Sequence, residues 1–282
     1  MLLGYNTNGF AHHDLLEAVE VLAEIGYGSV AITLDHHSLN PYESSFEENL
    51  AKVASCLHRY KMRSVIETGA RYLLDPRTKH EPTLLTAGVE QRERRQNFLR
   101  RAIDAAHALQ SDCVSLWSGI LRDDISDANA MKRLVESLIP VIQYAETRNV
   151  TIGFEPEPGM LVDTMERFDQ LRSLIDSDLF RLTLDVGHLH CLGETPIEAQ
   201  ITHWREEIVN VHIEDMLAGV HDHLMFGEGE IDFIPVLRAF RDSGYSGGLH
   251  VELSRHSHDA PGAAQQAFGF LRDQLSKIES TD

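Results

Sequence analysis

Thr151-Ile152-Gly153-Phe154-Glu155, Leu182-Thr183-Leu184-Asp185, Ile208-Val209-Asn210-Val211-His212 and Leu249-His250-Val251-Glu252 are four short apolar runs, each ending on an acidic or imidazole side chain. Runs of this length and composition read as buried strands. Their ends lie 30, 27 and 40 positions apart, about one strand-helix unit per step. A parallel barrel would bring all four ends to one rim. Two Glu, one Asp and one His converging there make an oxygen-rich donor set for a divalent cation: Mn²⁺ first, with Mg²⁺, Co²⁺ or Zn²⁺ as alternatives. Any one of these residues alone would be unremarkable, but packing hardly explains four in consecutive units.

The same alternation extends through the chain without a break in composition. Strands are predicted at 2–6, 29–34, 63–67 and 113–117, and helices over 14–25, 46–60, 89–109, 128–148, 165–175, 233–242 and 260–278. Eight strands alternating with helices, and no linker, predict a single α/β domain over 1–282, a closed (β/α)₈ TIM barrel. It would carry a long loop at 68–87 after the third strand and a short tail at 279–282. The competing doubly wound sheet would show a Gly-rich phosphate turn after its first strand, and Asn6-Thr7-Asn8-Gly9-Phe10 is not one. Barrel enzymes place their chemistry at the carboxyl ends of the strands, where the four residues fall.

Composition narrows the function classes. A chain of 282 residues, 43% hydrophobic, can bury a sizeable core. No apolar run approaches the ~18 residues of a membrane span, and the chain enters its first strand without a charged leader, so a soluble cytoplasmic protein is expected. Three scattered cysteines, with no CxxC, fit a reducing compartment. A net charge of −19 disfavours nucleic acid as a partner. No membrane partner is expected either.

Three like charges facing one another in low dielectric repel, and a cation reverses that cost. It also leaves coordination positions for two adjacent oxygens of a sugar and polarises a carbonyl. Glu155 and Glu252, from opposite sides, are placed to take a proton and return it elsewhere. A second cluster follows: His188 lies three residues beyond Asp185, and His221 and His223 face the same way in an extended segment. These three either hold a second ion, giving one or two per chain, or contact substrate hydroxyls. Glu67, Arg71, Trp117 and Glu157 are candidate substrate contacts. Alternative readings pair Glu67 with Arg71 as a loop tether and give Trp117 to packing. Loop 68–87 is a candidate lid or oligomer contact.

Phe154-Glu155-Pro156-Glu157, Leu184-Asp185-Val186-Gly187-His188, Val211-His212-Ile213-Glu214-Asp215, the stretch from His223 to Asp232, and Val251-Glu252 together resemble the xylose-isomerase-like TIM barrels. That superfamily includes sugar and sugar-phosphate isomerases, ketose 3-epimerases, inosose-processing enzymes and zinc-dependent apurinic endonucleases. The resemblance covers essentially the whole barrel. It implies that Glu155, Asp185, His212 and Glu252 hold a metal, that Glu155 and Glu252 are the acid-base pair, and that His188 contacts substrate oxygens. In the endonucleases an Asp-x-His at the place of His221-x-His223 helps hold zinc. The early strands depart from that plan, offering Glu67 and Trp117 where the nucleases carry histidines. Members often form homo-oligomers. The expectation is an enzyme: a divalent-metal-dependent isomerase or epimerase of a small sugar or keto-polyol, working through an enediolate. Alternatives are a metal-dependent lyase or dehydratase on a keto sugar or keto-glycoside, and a multi-metal phosphoester hydrolase. A barrel that binds a polyol without turnover is the non-enzyme reading.

Overall fold

Leu2–Asn6 (β1) hydrogen-bonds on one side to Ser29–Thr33 (β2) and on the other to Gly248–Val251 (β10), and this last pairing closes the sheet. The computed structural model describes residues 1–280. Between β2 and β10 run Arg63–Glu67 (β3), Val114–Leu116 (β4), Ile152–Phe154 (β5), Phe180–Asp185 (β6) and Ile208–Ile213 (β7). The order β1-β10-β7-β6-β5-β4-β3-β2 is a closed parallel barrel, the (β/α)₈ fold expected.

Helices surround it: α1 (Leu15–Ile25), α2 (Phe46–Tyr60), α3 (Val89–Leu109), α4 (Asp127–Arg148), α5 (Met165–Ser173), α6 (Val186–Cys191), α7 (Ile197–Trp204), α8 (Phe233–Asp242) and α9 (Ala260–Glu279). Local signals set their ends. Asp14 accepts the Leu16 N–H at the start of α1, and Gly26 stops it at φ 118°, a conformation costly for any side chain. Ser126 caps α4, which starts one residue earlier than expected. Outward strand residues such as Ile32, Ile66, Phe154 and Leu184 are fully buried under helix residues such as Phe98, Phe168 and Phe240. A helix-covered parallel sheet therefore reads as continuous apolar runs.

The barrel interior combines a small apolar cluster, Ala31, Val65 and Cys113, with a polar network. His250 Nε2 lies 2.8 Å from Ser29 Oγ, and its Nδ1 lies 2.8 Å from Asn210 Oδ1. Thr183 Oγ1 donates to Ser115 Oγ at 3.2 Å. A Cβ on Gly4 or Gly248 would run into the His250 ring, so these two glycines create the room that the imidazole fills.

Several elements differ from expectation. β4 and β5 have three residues each. The segment between β6 and β7 forms α6 and α7, where no helix was anticipated; six and eight residues are too short for a clear 3.6-residue period. The loop after β7 contains an antiparallel hairpin, β8 (Asp215–Leu217) and β9 (Val220–Leu224), turning at Gly219 with φ 73°. Val220-His221-Asp222-His223-Leu224 is polar on both faces, so no alternation marks it as a strand. Loop 68–87 is tied down rather than loose. Arg95 Nη2 donates to Thr68 O at 2.6 Å, Arg133 Nη1 to Leu85 O at 2.9 Å, and Leu74, Leu84 and Leu85 are buried. Of the tail expected at 279–282, Glu279 ends α9, while Thr281 and Asp282 lie outside the described residues.

Candidate active site

Strand register assembles the quartet. Asp185 pairs with His212 across β6 and β7, and His212 pairs with His250, two residues before Glu252. Glu155 directly follows β5, and its N–H donates to Leu116 O at 2.8 Å. The four side chains bring one donor atom each to within 4.8 Å of one another. Asp185 is 3% exposed, Glu155 4% and His212 1%, so the cup is open chiefly at Glu252.

His212 is the hub. Its Nδ1 lies 2.9 Å from Glu155 Oε1, 3.1 Å from Glu252 Oε2 and 3.8 Å from Asp185 Oδ2. On its far side Nε2 lies 2.8 Å from Glu67 Oε1, which also accepts from Asn210 Nδ2 at 3.1 Å. With the Nε2 proton on Glu67, the Nδ1 lone pair faces the three other carboxylates. A carboxylate behind a ligating imidazole fixes its tautomer and orientation in this way.

The residues fit a divalent ion. Asp185 Oδ2 is buried and has no hydrogen-bond donor except a proton on the neighbouring Glu214 carboxyl, an expensive state for a carboxylate oxygen that a cation would relieve. Its other oxygen accepts the His188 N–H at 2.8 Å, capping α6 and fixing the carboxylate plane. Three carboxylates and one imidazole suit Mn²⁺, Co²⁺, Mg²⁺ or Zn²⁺.

Without an ion, protons do part of its work. Burial pushes the Glu155 carboxyl up to about 8. Burial opposes charge on His212, yet Glu155, Glu67 and Glu252 overcome it and raise its pKa well above the usual value. Burial would also raise Asp185, but His188, His212 and His223 hold it down to about 2. The metal-free cup is an imidazolium among carboxylates that do not all ionise.

The second cluster forms above the first. His188 Nδ1 lies 3.1 Å from Pro156 O and His223 Nδ1 3.2 Å from Glu252 O, so each ring gives its Nδ1 proton to a carbonyl and keeps an Nε2 lone pair. His188 Nε2 and His221 Nε2 are 3.1 Å apart. Glu157 reaches toward both, at 3.8 Å from each. Burial lowers the His188 pKa to about 4 and also lowers that of His221, so these rings are neutral near pH 7.

A cavity of about 380 Å³ opens over the quartet, lined among others by Glu67, Arg71, Trp117, Glu157, His221 and His223. Trp117 is largely buried, with the Arg95 guanidinium 4.6 Å from its ring centre and His80 edge-on at 5.5 Å. It thus packs the rim and walls the cavity at once. The Glu67–Arg71 pair does not form. Glu67 turns inward to His212, while Arg71 donates to Asn8 O at 2.9 Å and lies 3.9 Å from Asp35.

Sequence reasoning missed three residues. Asn8 Nδ2 donates to Glu252 Oε1 at 2.7 Å. Asn210 links His250 to Glu67, and its position two residues before His212 on one strand face was the available signal. Glu214 is fully buried with neither oxygen accepting a hydrogen bond, 3.8 Å from His223 Nδ1. Burial, the charges of Asp185 and Glu252 and a hydrogen bond to the Asp185 carboxylate, which only a protonated Glu214 can donate, raise its pKa well above the usual range.

Known proteins share this architecture. An uncharacterized protein of Methanocaldococcus jannaschii is 27% identical over 270 residues, covering 89% of this chain and 83% of that one. The L-ribulose-5-phosphate 3-epimerase UlaE of Escherichia coli is 22% identical over 273 residues, 93% of this chain and 90% of the enzyme. The crystal structure of a D-tagatose 3-epimerase-like protein superposes with a TM-score of 0.79 at 21% identity, covering 100% of this chain and 99% of that one. The family model described as xylose isomerase-like TIM barrel matches residues 19–274, nearly the whole barrel. The chain belongs to the xylose isomerase-like TIM barrel family.

Proposed function

We propose that this protein is a divalent-metal-dependent epimerase or isomerase of a small sugar or keto-polyol, moving a proton through an enediolate. One observation carries the reading: the buried Asp185 Oδ2 faces an imidazole nitrogen flanked by two glutamates, beneath a cavity of monosaccharide scale. Glu155, Asp185, His212 and Glu252 would hold the cation. When bound, the ion supplies a Lewis acid that polarises the substrate carbonyl and acidifies the neighbouring C–H.

The chain's own groups do the rest. Glu155 and Glu252 approach from strands on different sides of the cup, and one takes the proton while the other returns it. Each must be base in one direction and acid in the other, because the reverse reaction crosses the same barrier. Asn8 holds Glu252 in position, and Glu67 holds His212. His188, His221, His223 and Glu157 meet the substrate's hydroxyls, with Arg71 and Trp117 at the wall. The sugar 3-epimerases among the similar proteins support this class.

The 3.1 Å approach of His188 and His221 favours a second reading, in which these two and His223 hold a second ion and the site hydrolyses a phosphoester. Metal analysis with a solvent-exchange assay separates the two. One ion per chain and deuterium uptake from D₂O into a ketose support epimerisation. Two or more ions without exchange support hydrolysis.

A further inference from the structure

A column of hydrogen-bonded side chains descends inside the barrel from the cation site toward the opposite end of the sheet. It runs from Glu67, the last residue of β3, through Asn210 of β7 and His250 of β10 to Ser29, the first residue of β2. Asn210, His250 and Ser29 are fully buried, and none of them lines the cavity over the quartet. Burying an imidazole costs free energy that an apolar side chain of similar size avoids. Elsewhere the interior is filled in that cheaper way, by Ala31, Val65 and Cys113. Yet two strands give up a Cβ, at Gly4 and Gly248, to seat the His250 ring. Packing alone does not account for this residue.

The contacts in the column admit one direction. Glu67 Oε1 accepts from His212 Nε2 at 2.8 Å and from Asn210 Nδ2 at 3.1 Å. The Asn210 amide therefore turns Oδ1 to His250 Nδ1, 2.8 Å away, and that nitrogen must carry the ring proton. His250 Nε2 is left to accept the Ser29 hydroxyl at 2.8 Å, closer than the competing Arg63 O at 3.4 Å. The second Asn210 N–H reaches Thr183 Oγ1 at 3.5 Å. The reverse order would set the amide oxygen against the Glu67 carboxylate. Each group thus has its role fixed by the next, and two N–H groups pin one Glu67 oxygen. Without the His250 donor, Asn210 is free to turn, Glu67 keeps only His212, and that ring loses its fixed partner.

We propose that His250 is a positioning residue of the cation site: through Asn210 and Glu67 it holds His212 with Nδ1 turned to the cup. It does so from a buried place outside the cavity, because a fully satisfied polar network is rigid along its length. The inference rests on the metal-dependent reading only for what His212 serves; the relay itself stands on the hydrogen bonds.

The test is a double-mutant cycle read by Mn²⁺ calorimetry, on the wild type, His250→Leu, Glu67→Ala and the two changes combined. His250→Leu should weaken Mn²⁺ binding about 3–10-fold, as expected for the loss of one hydrogen bond in the relay. Added to Glu67→Ala it should cost nothing more, since the relay acts through Glu67. His250→Asn, whose amide returns an N–H near the place of Nδ1, should recover most of the affinity. A loss equal in both backgrounds, no loss at all, or a His250→Asn no better than His250→Leu overturns the relay and leaves the cation site intact. Should His250→Leu fail to fold, Ser29→Ala takes its place in the cycle under the same criteria. If the wild type binds no Mn²⁺, the metal reading fails by itself, and nitrogen-15 NMR of the histidine rings in the metal-free proteins decides the relay. A His250 proton on Nδ1, with a His212 Nε2–H signal that moves in His250→Leu and returns in His250→Asn, sustains it. A proton on Nε2 of His250, or an unmoved His212 signal, overturns it.

Discussion

His212 decides the behaviour of its neighbours, because one imidazole is shared between Glu67 behind and Glu155 and Glu252 in front. Two predictions belong to single residues. Glu252→Gln keeps the side-chain shape and an amide for Asn8, so the fold persists; deuterium exchange into a ketose should fall by at least ~10²-fold, the usual worth of a positioned proton-transfer group. Unchanged exchange would remove Glu252 from the chemistry. Glu67→Ala leaves the quartet complete but frees the ring, and should weaken Mn²⁺ binding by about 10–100-fold in a calorimetric titration. At this scale the quartet was legible because each member ends a strand, a position that sequence reports well. The direction of Glu67 was not. Nearness in sequence suggested Arg71 as its partner, whereas the barrel's interior turns it toward a strand 145 positions away. Asn8 was invisible for the same reason, its partner Glu252 being 244 positions distant.

Among the elements, the β8–β9 hairpin matters most, since it carries His221 and His223 over the cup. Its anchor is Asp215, which accepts N–H bonds from Met216 at 3.0 Å, Gly227 at 2.8 Å and Ile231 at 3.1 Å. Asp215→Ala leaves the buried Met216 and Ile231 donors unpaired and should cost about 1.5–3 kcal/mol. Hydrogen exchange should accelerate across 215–231 while the strands of the barrel stay protected. Equal acceleration throughout would mean that Asp215 supports the whole fold rather than the hairpin. Long helices such as α2 and α4 were readable because hydrophobic periodicity accumulates along them, and buried strands such as β3 because they are short apolar runs. The hairpin, α6 and α7 were not, because short polar segments take their structure from what they pack against.

The whole molecule couples folding, protons and cation. Glu155 at about 8 lies above the ordinary carboxyl value of ~4.3, so the folded metal-free chain holds a proton that the unfolded chain releases across that window. Stability from this group therefore falls as pH rises from ~4.3 to 8. The raised His212 contributes stability that is full below ~6.5 and is lost as pH climbs through its folded value, which acts in the same direction. Asp185, depressed to about 2, contributes stability present above ~3.9 and lost only as pH falls through 2, outside the working range. A bound cation takes the place of those protons, and its affinity should rise with pH. Saturating Mn²⁺ should therefore raise Tm more at pH 8.5 than at pH 6.0 in scanning fluorimetry. A gain independent of pH would mean that the ion binds somewhere other than this cup.

The central claim is that Glu155, Asp185, His212 and Glu252 form a cation site, and a Mn²⁺ titration followed by electron paramagnetic resonance tests it most directly. Wild-type protein should take up Mn²⁺ with saturable affinity, and Asp185→Ala and His212→Ala should each abolish that uptake in chains that remain folded by circular dichroism. A wild type that leaves all Mn²⁺ free in solution, or variants that bind it as the wild type does, would contradict the account.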